Sequence, residues 1–262
     1  MYLNWTINTH PLEKKKRHQV ILSEVQIHNR VLLADLARIL EVSMDTVRRD
    51  VKELDSEKKL RKVHGGAVSN GFNIYTDSTR EVYHQGEKTL IAQKGATLLQ
   101  DGDVVLITGG STNLELARCL PRKMNLTFFT PSLPMAIELL NRAPSGYEVH
   151  LIGGKLSRDS QLATGGNSIN ILSDITADIC FLGTGYIDVE KGITEVDWEI
   201  AQMKKAMIAS SKKVVSLTIS EKLNTKNRYK ICDVRALHTL VTELDPGSEK
   251  LDPYRAQGIE IF

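Results

Sequence analysis

Residues 41–54, EVSMDTVRRDVKEL, place Ser43 just ahead of a run whose apolar residues Val47, Val51 and Leu54 recur at spacings of four and three. A helix with that spacing buries one stripe and turns Asp45, Arg48, Arg49 and Lys52 outward. Ser43 suits the N-cap, where a hydroxyl accepts a free N–H of the first turn. Upstream, LLADLARILE (32–41) carries Leu33, Leu36, Ala37 and Leu40 on one face, and only a tight break at Val42–Ser43 separates the two stretches. Two short amphipathic helices joined in this way form the helix-turn-helix pattern, whose second helix enters the major groove of DNA. Ser43, Met44, Asp45 and Thr46 then occupy the leading end, where short polar side chains meet base edges and the helix terminus favours a phosphate. Arg48 and Arg49 point about 100° apart, so one can read a base while the other clamps the backbone. The pattern leaves open which does which.

A pair of arginines on a helix is usually just a solvated face, so its neighbours decide. Before it, Val20, Ile21, Val25 and Ile27 form a helical stripe after the charged approach Glu13–Arg17. After it, LRKVHGGAV (60–68) reads as a strand and a hairpin-like wing. That wing brings Arg61, Lys62 and His64 within reach of flanking phosphates or the minor groove. Between Pro11 and His64 there are 13 Lys/Arg against 9 Asp/Glu, a balance of +4 where the whole chain carries +2. A basic front on a mildly acidic body fits a nucleic-acid module joined to a part with another task.

The chain is 262 residues long, with 41% hydrophobic and 25% charged residues, an ordinary composition for a soluble globular protein of one large or two smaller domains. Cys119, Cys180 and Cys232 are too few and too scattered for a disulfide framework, and Cys180 in DICFLG reads as a small core residue. The seven histidines show no metal-ligand spacing, so neither metal nor cofactor is expected. The absence of a long apolar run argues against a membrane span. The start MYLNWTINTHPLEKKKRH does not read as a secretory signal, which points to the cytoplasm.

Three regions follow: a winged helix-turn-helix over 12–68, a polar connector over 69–86 containing Phe72, Ile74 and Tyr75, and an α/β domain over 87–262. In the last, apolar strands are expected at 103–108, 126–130, 147–152, 178–183, 213–219, 238–242 and 258–262. Amphipathic helices such as TNLELARCL, SLPMAIELLN and VDWEIAQMKKAMIAS lie between them. Near-continuous apolar strands alternating with helices predict a mostly parallel, Rossmann-like sheet covered on both faces. VLITGGSTNLELA (105–117) is a strand, a glycine turn and a helix start. Gly109 and Gly110 admit a ligand to the backbone, while Ser111 and Thr112 add hydroxyls at the positive helix end, a phosphate cradle. A plain capped turn is the competing reading. Gly153-Gly154-Lys155 and Gly183-Thr184-Gly185 fall at other strand ends, where open parallel sheets bind ligands. Asp197, Glu199, Lys204 and Lys222 are further charged candidates, with Lys204 and Lys205 open to a surface reading.

Taken together, VSMDTVRRDVKEL, RKVHGGA, EKTLIAQKGATLL, GGST, GGK, GTGYID, GITEVDWEIAQMKKAMI and SEK resemble the DeoR family of bacterial transcription regulators along nearly the whole chain. The resemblance implies a repressor of a carbohydrate operon that binds operator DNA as a homodimer or homotetramer and is released by a phosphorylated sugar. It also implies a sensor fold related to ribose-5-phosphate isomerase. Lys222 gains weight from a lysine that follows the corresponding strand in the family. Related isomerases carry acidic residues where this chain has Gly183-Thr184-Gly185. Glu199 and Asp188 leave that cluster incomplete, so no catalytic residue is assigned and a sensor is favoured over an isomerase with an accessory DNA module. Thr108, Pro131 and Ser220-Glu221 depart from residues usual in the family, so the sugar part of the ligand does not carry over.

Overall fold

The structure, a computed structural model, describes residues 12–70, 83–121, 123–142 and 146–262. The chain separates into two compact units, one ending at Asn70 and one beginning at Gly71. Phe72, Ile74 and Tyr75 of the expected connector lie outside the described residues.

The front unit runs α1 (Lys14–His28), β1 (Arg30–Leu32), α2 (Leu33–Leu40), α3 (Met44–Ser56), β2 (Arg61–Val63) and β3 (Gly66–Val68). Ile21, Val25, Leu33, Leu36, Leu40, Val47, Val51, Leu54 and Leu60 form one buried cluster, so the apolar spacings in all three helices face a common core. The wing differs from expectation. Residues Arg30–Leu32 leave the helical pattern and pair with β3, giving an antiparallel sheet of order β1-β3-β2. The pairing is long-range, and no local period announces it. It explains why the turn ends in glycine: a Cβ on Gly66 would stand 2.3 Å from the Val31 carbonyl oxygen. Gly66→Ala is therefore predicted to destabilise the front unit by about 1–3 kcal/mol, the usual cost of overpacking, read as a lower midpoint for its unfolding in the full chain.

The rear unit begins with α4 (Gln85–Ala96), β4 (Val104–Ile107), α5 (Ser111–Arg118), β5 (Leu126–Thr130), α6 (Leu133–Arg142) and β6 (Tyr147–Leu151). It continues with β7 (Lys155–Leu156), β8 (Ala163–Thr164), α7 (Gly166–Ser173), β9 (Ala177–Leu182), β10 (Tyr186–Asp188), β11 (Gly192–Glu195) and α8 (Trp198–Ala209). Then follow β12 (Ser211–Leu217), β13 (Tyr229–Cys232), β14 (Thr239–Val241), α9 (Asp252–Arg255) and β15 (Glu260–Ile261).

All seven expected strands join one sheet of order β15-β14-β12-β9-β4-β5-β6, and every pairing in it is parallel. Successive residues feed opposite faces. Val105, Ile107, Ile179, Phe181, Val215 and Leu217 pack with Ile91, Leu116, Met135 and Leu139. Leu106, Cys180, Leu182, Val214 and Leu240 pack on the other side with Leu172, Met203 and Met207. Burial pushes the Cys180 thiol up to about 12, so it behaves as a small hydrophobe. Two smaller antiparallel pieces stand outside this sheet, β10-β11-β13 and β7-β8. Neither is expected from the sequence, because GTGYID and GITEV are too short and glycine-broken to show alternation, and β7 and β8 have only two residues each.

Candidate functional site

On α3 the Ser43 hydroxyl accepts the Thr46 N–H at 3.1 Å, so the N-cap is formed. Ser43, Met44, Asp45, Arg48, Arg49 and Lys52 are exposed and Thr46 is half-buried. Arg48 is ion-paired to Asp45 one turn back, whereas Arg49 and Lys52 have no ion pair among the described residues. In the wing, the Lys62 N–H donates to Asp55 at 2.9 Å, Arg61 is half-buried and His64 is exposed at the turn. One residue of α3 escaped the sequence reading. Asp50 is buried, and Arg17 of α1 grips it with a fork of two hydrogen bonds, 2.7 and 3.1 Å. His18 stands 3.4 Å from the same carboxylate. Arg17 is thereby held above its ordinary pKa, chiefly by the hydrogen bond to Asp50.

In the rear unit the parallel sheet sends the loops after β4, β5, β6, β9 and β12 to one edge. Two of them touch directly. The Thr108 hydroxyl accepts the Gly183 N–H at 2.6 Å, and a Cβ on Gly183 would lie 2.5 Å from the Gly109 carbonyl oxygen. Asn113 ties both strands, donating to the carbonyls of Thr108 and Phe181 at 3.1 Å each. Gly109 sits against Ser132 and Leu162, and Gly154 against Ser168 and the Thr164 carbonyl. The glycines singled out from the sequence therefore do line neighbouring loops. Gly153, Gly154 and Lys155 are themselves exposed, Gly185 half-buried and Thr112 buried.

The start of α5 lacks the Ser or Thr cap of the competing reading. Its N-cap is Gly110 at φ +125°, with no side-chain cap, and Ser111 is its first helical residue. Free N–H groups at such an end attract an anion. Asp197, by contrast, caps α8 by accepting the N–H groups of Glu199 and Ile200 at 3.0 and 3.3 Å, and Glu199 is exposed in the first turn. Both acids thus stand at the N-terminus of α8.

Lys222 lies in a short 3₁₀ turn after β12 (Ser220–Lys222). It is buried, and its ammonium donates to the Thr184 carbonyl at 2.9 Å. Burial first, then the neighbouring charges of Lys88 and Lys204, depress its pKa to about 7, with Glu195 opposing. Lys88 of α4 is also buried, donates to the Tyr83 carbonyl, and is depressed to about 8, mainly by burial. Neither lysine is ion-paired to a carboxylate among the described residues. Lys204 is not the surface residue one reading allowed: it is buried with Glu195 at 2.7 Å. Lys88 and Glu195 were not foreseen.

Glu221, next to Lys222, accepts the Tyr83 hydroxyl at 3.0 and 3.2 Å and stands 3.5 Å from His84. The segment entering the rear unit is thus fastened beside the lysines. Among the described residues no cluster of three metal-ligating side chains occurs, and no helix is long and apolar enough to cross a membrane.

Comparison with known proteins gives two family matches: a DeoR-like helix-turn-helix domain over residues 17–71 and a DeoR C terminal sensor domain over 83–244. Similar curated proteins include the HTH-type transcriptional repressor GlcR of Bacillus subtilis, 29% identical over 95% of this chain and 96% of that protein. The HTH-type transcriptional regulator GlpR of Haloferax volcanii is 28% identical over 96% and 97%. The uncharacterized regulator YulB of Bacillus subtilis is 30% identical over 90% and 92%. Among solved structures, ribose 5-phosphate isomerase A of Methanocaldococcus jannaschii is 16% identical over 54% of this chain and 55% of its own, with a TM-score of 0.40.

Proposed function

The chain belongs to the DeoR family of transcription regulators, and from that premise we propose that it represses a carbohydrate catabolic operon until a phosphorylated sugar occupies the rear unit. It is a DNA-binding regulator and not an enzyme, as its relatives are. The observation that carries the effector half of this reading is the pair of buried lysines, Lys88 and Lys222, neither ion-paired to a carboxylate among the described residues. Burial depresses both ammonium groups, and the charges of Lys88 and Lys204 lower Lys222 further, so an added negative charge favours their charged forms. A phosphate supplies it, and the uncapped start of α5 at Ser111 and Thr112 adds backbone N–H donors. Thr108, Thr184 and the glycine loops, Gly109–Gly110, Gly153–Gly154 and Gly183–Gly185, are the surroundings offered to the sugar.

Release follows from where Lys88 points. It donates to the Tyr83 carbonyl, and Tyr83 and His84 hold Glu221. A phosphate that draws Lys88 away loosens the hold on Tyr83 and His84 at the start of the rear unit. By linkage, an effector that favours the DNA-incompetent state by a given factor weakens operator affinity by that same factor. A homodimer or homotetramer supplies the paired reading helices that one module lacks. The test is fluorescence anisotropy on a DNA fragment that the protein selects from a random pool, titrated with phosphorylated and unphosphorylated sugars. At least one phosphorylated sugar is expected to weaken binding, and its unphosphorylated form is not. Release by neither class, or turnover of a sugar phosphate, would overturn the reading.

A further inference from the structure

The two arginines of α3 do not share one environment, and the difference assigns them different partners. Residues three apart are neighbours on a helix surface, so the exposed side of α3 carries two rows. One row is Asp45 and Arg48, joined in an ion pair. The other is Arg49 and Lys52, both exposed and neither ion-paired among the described residues. The first row is electrically neutral and the second carries two positive charges.

Accepting the reading of α3 as the DNA-contacting helix, we propose that Arg48 reads a guanine in the major groove, oriented by Asp45, while Arg49 and Lys52 clamp the phosphate backbone. The Asp45 carboxylate engages one end of the guanidinium and leaves the remaining donors of its planar fork free. Guanine offers O6 and N7 as a matched pair of neutral acceptors. A phosphate oxygen would instead be repelled by Asp45, so a row that includes this carboxylate belongs over base edges. Asp45 itself is favoured in the first turn by the helix dipole. The Arg49–Lys52 row has no such carboxylate, and a bare double charge is what counterion release from phosphate rewards. Arg48 lies nearer the helix N-terminus than Lys52, which suits the end that meets the bases. Asp45 is thus a positioning residue, and Arg48 the specificity residue.

The test measures affinity of the full chain for its selected fragment and for random DNA across a salt series. Arg49→Ala and Lys52→Ala should each weaken both DNAs alike and lower the slope of log affinity against log salt by about 1. Arg48→Ala bares Asp45 and should weaken random DNA modestly, while selected-site affinity falls about 10- to 100-fold further. Arg48→Lys keeps the charge but not the fork, and should lose specificity to the same extent. Asp45→Asn should raise the slope and reduce discrimination. Replacing one guanine in the site should cost wild type the same factor and Arg48→Ala nothing further. A uniform loss with a reduced slope in Arg48→Ala, or strict additivity with every guanine replacement, overturns the assignment. If no variant at positions 45, 48, 49 or 52 changes DNA affinity, the reading of α3 itself fails, and the assignment with it.

Discussion

Lys222→Met is expected to keep the repressor on its operator at effector concentrations that release the wild type, with effector affinity reduced at least about 30-fold. The magnitude follows from the ~2–5 kcal/mol lost when one partner of a buried charged hydrogen bond is truncated. Lys88→Met should act in the same direction, because Lys88 is also a buried cation whose charge is felt by Lys222. The depressed pKa values add a proton signature. With Lys222 near 7 and Lys88 near 8, a phosphate that restores their charge draws protons from solution at pH 8. Calorimetric titration in buffers of different ionisation enthalpy should therefore show proton uptake, and Lys222→Met should show less. Stability carries the same sign. Lysines depressed on folding bind fewer protons in the native than in the unfolded chain between about 7 and the ordinary 10.5, so the rear unit gains stability as pH rises through that window. That gain shrinks in Lys222→Met. Effector binding without proton uptake, or undiminished release from Lys222→Met, would remove these lysines from the site.

The helix-turn-helix was legible because its evidence is local: Ser43, Val47, Val51 and Leu54 fit one period, and all four occupy the places that the period assigns. The seven parallel strands were legible for a related reason, since burial on both faces leaves an unbroken apolar run in each. What stayed hidden depends on distant partners. Val31 and Leu32 continue the pattern of a helix, and only β3 draws them into a sheet. Glu87–Lys88 looks like a solvated pair, yet the fold buries Lys88 near the loop that carries Lys222. Lys204 and Lys205 are adjacent in sequence, but a 100° step buries the first against Glu195 and exposes the second. Asp197 caps α8, a role that a ligand-binding acid and a plain N-cap share in sequence. Glycines at strand ends were legible as loops at one edge of the sheet, whereas the burial of Lys88 and Lys204 depends on packing.

Asp50 gives the other large effect, on the front unit. In sequence it is one more charged residue of RRDVKEL. In the structure it is buried, and the Arg17 fork binds α1 to the helix that carries Arg48 and Arg49. Asp50→Ala strands a half-buried guanidinium and removes the carboxylate beside His18, a change that typically costs about 3–5 kcal/mol. A domain this small seldom has more than that to lose. The variant is therefore expected to unfold its front unit while the rear unit keeps its sheet, which calorimetry of the full chain would show as loss of one transition. Operator binding should vanish, yet the effector should still raise the melting temperature of the remaining transition. Replacing both partners separates a packing role from an electrostatic one. Because an apolar pair of similar volume often substitutes for a buried ion pair without loss, Arg17→Met with Asp50→Leu should recover the front transition. Its recovery of operator binding then reports whether the fork sets only the stability of α3 or also its angle in the groove. Melting of Asp50→Ala indistinguishable from wild type would show that the fork contributes nothing.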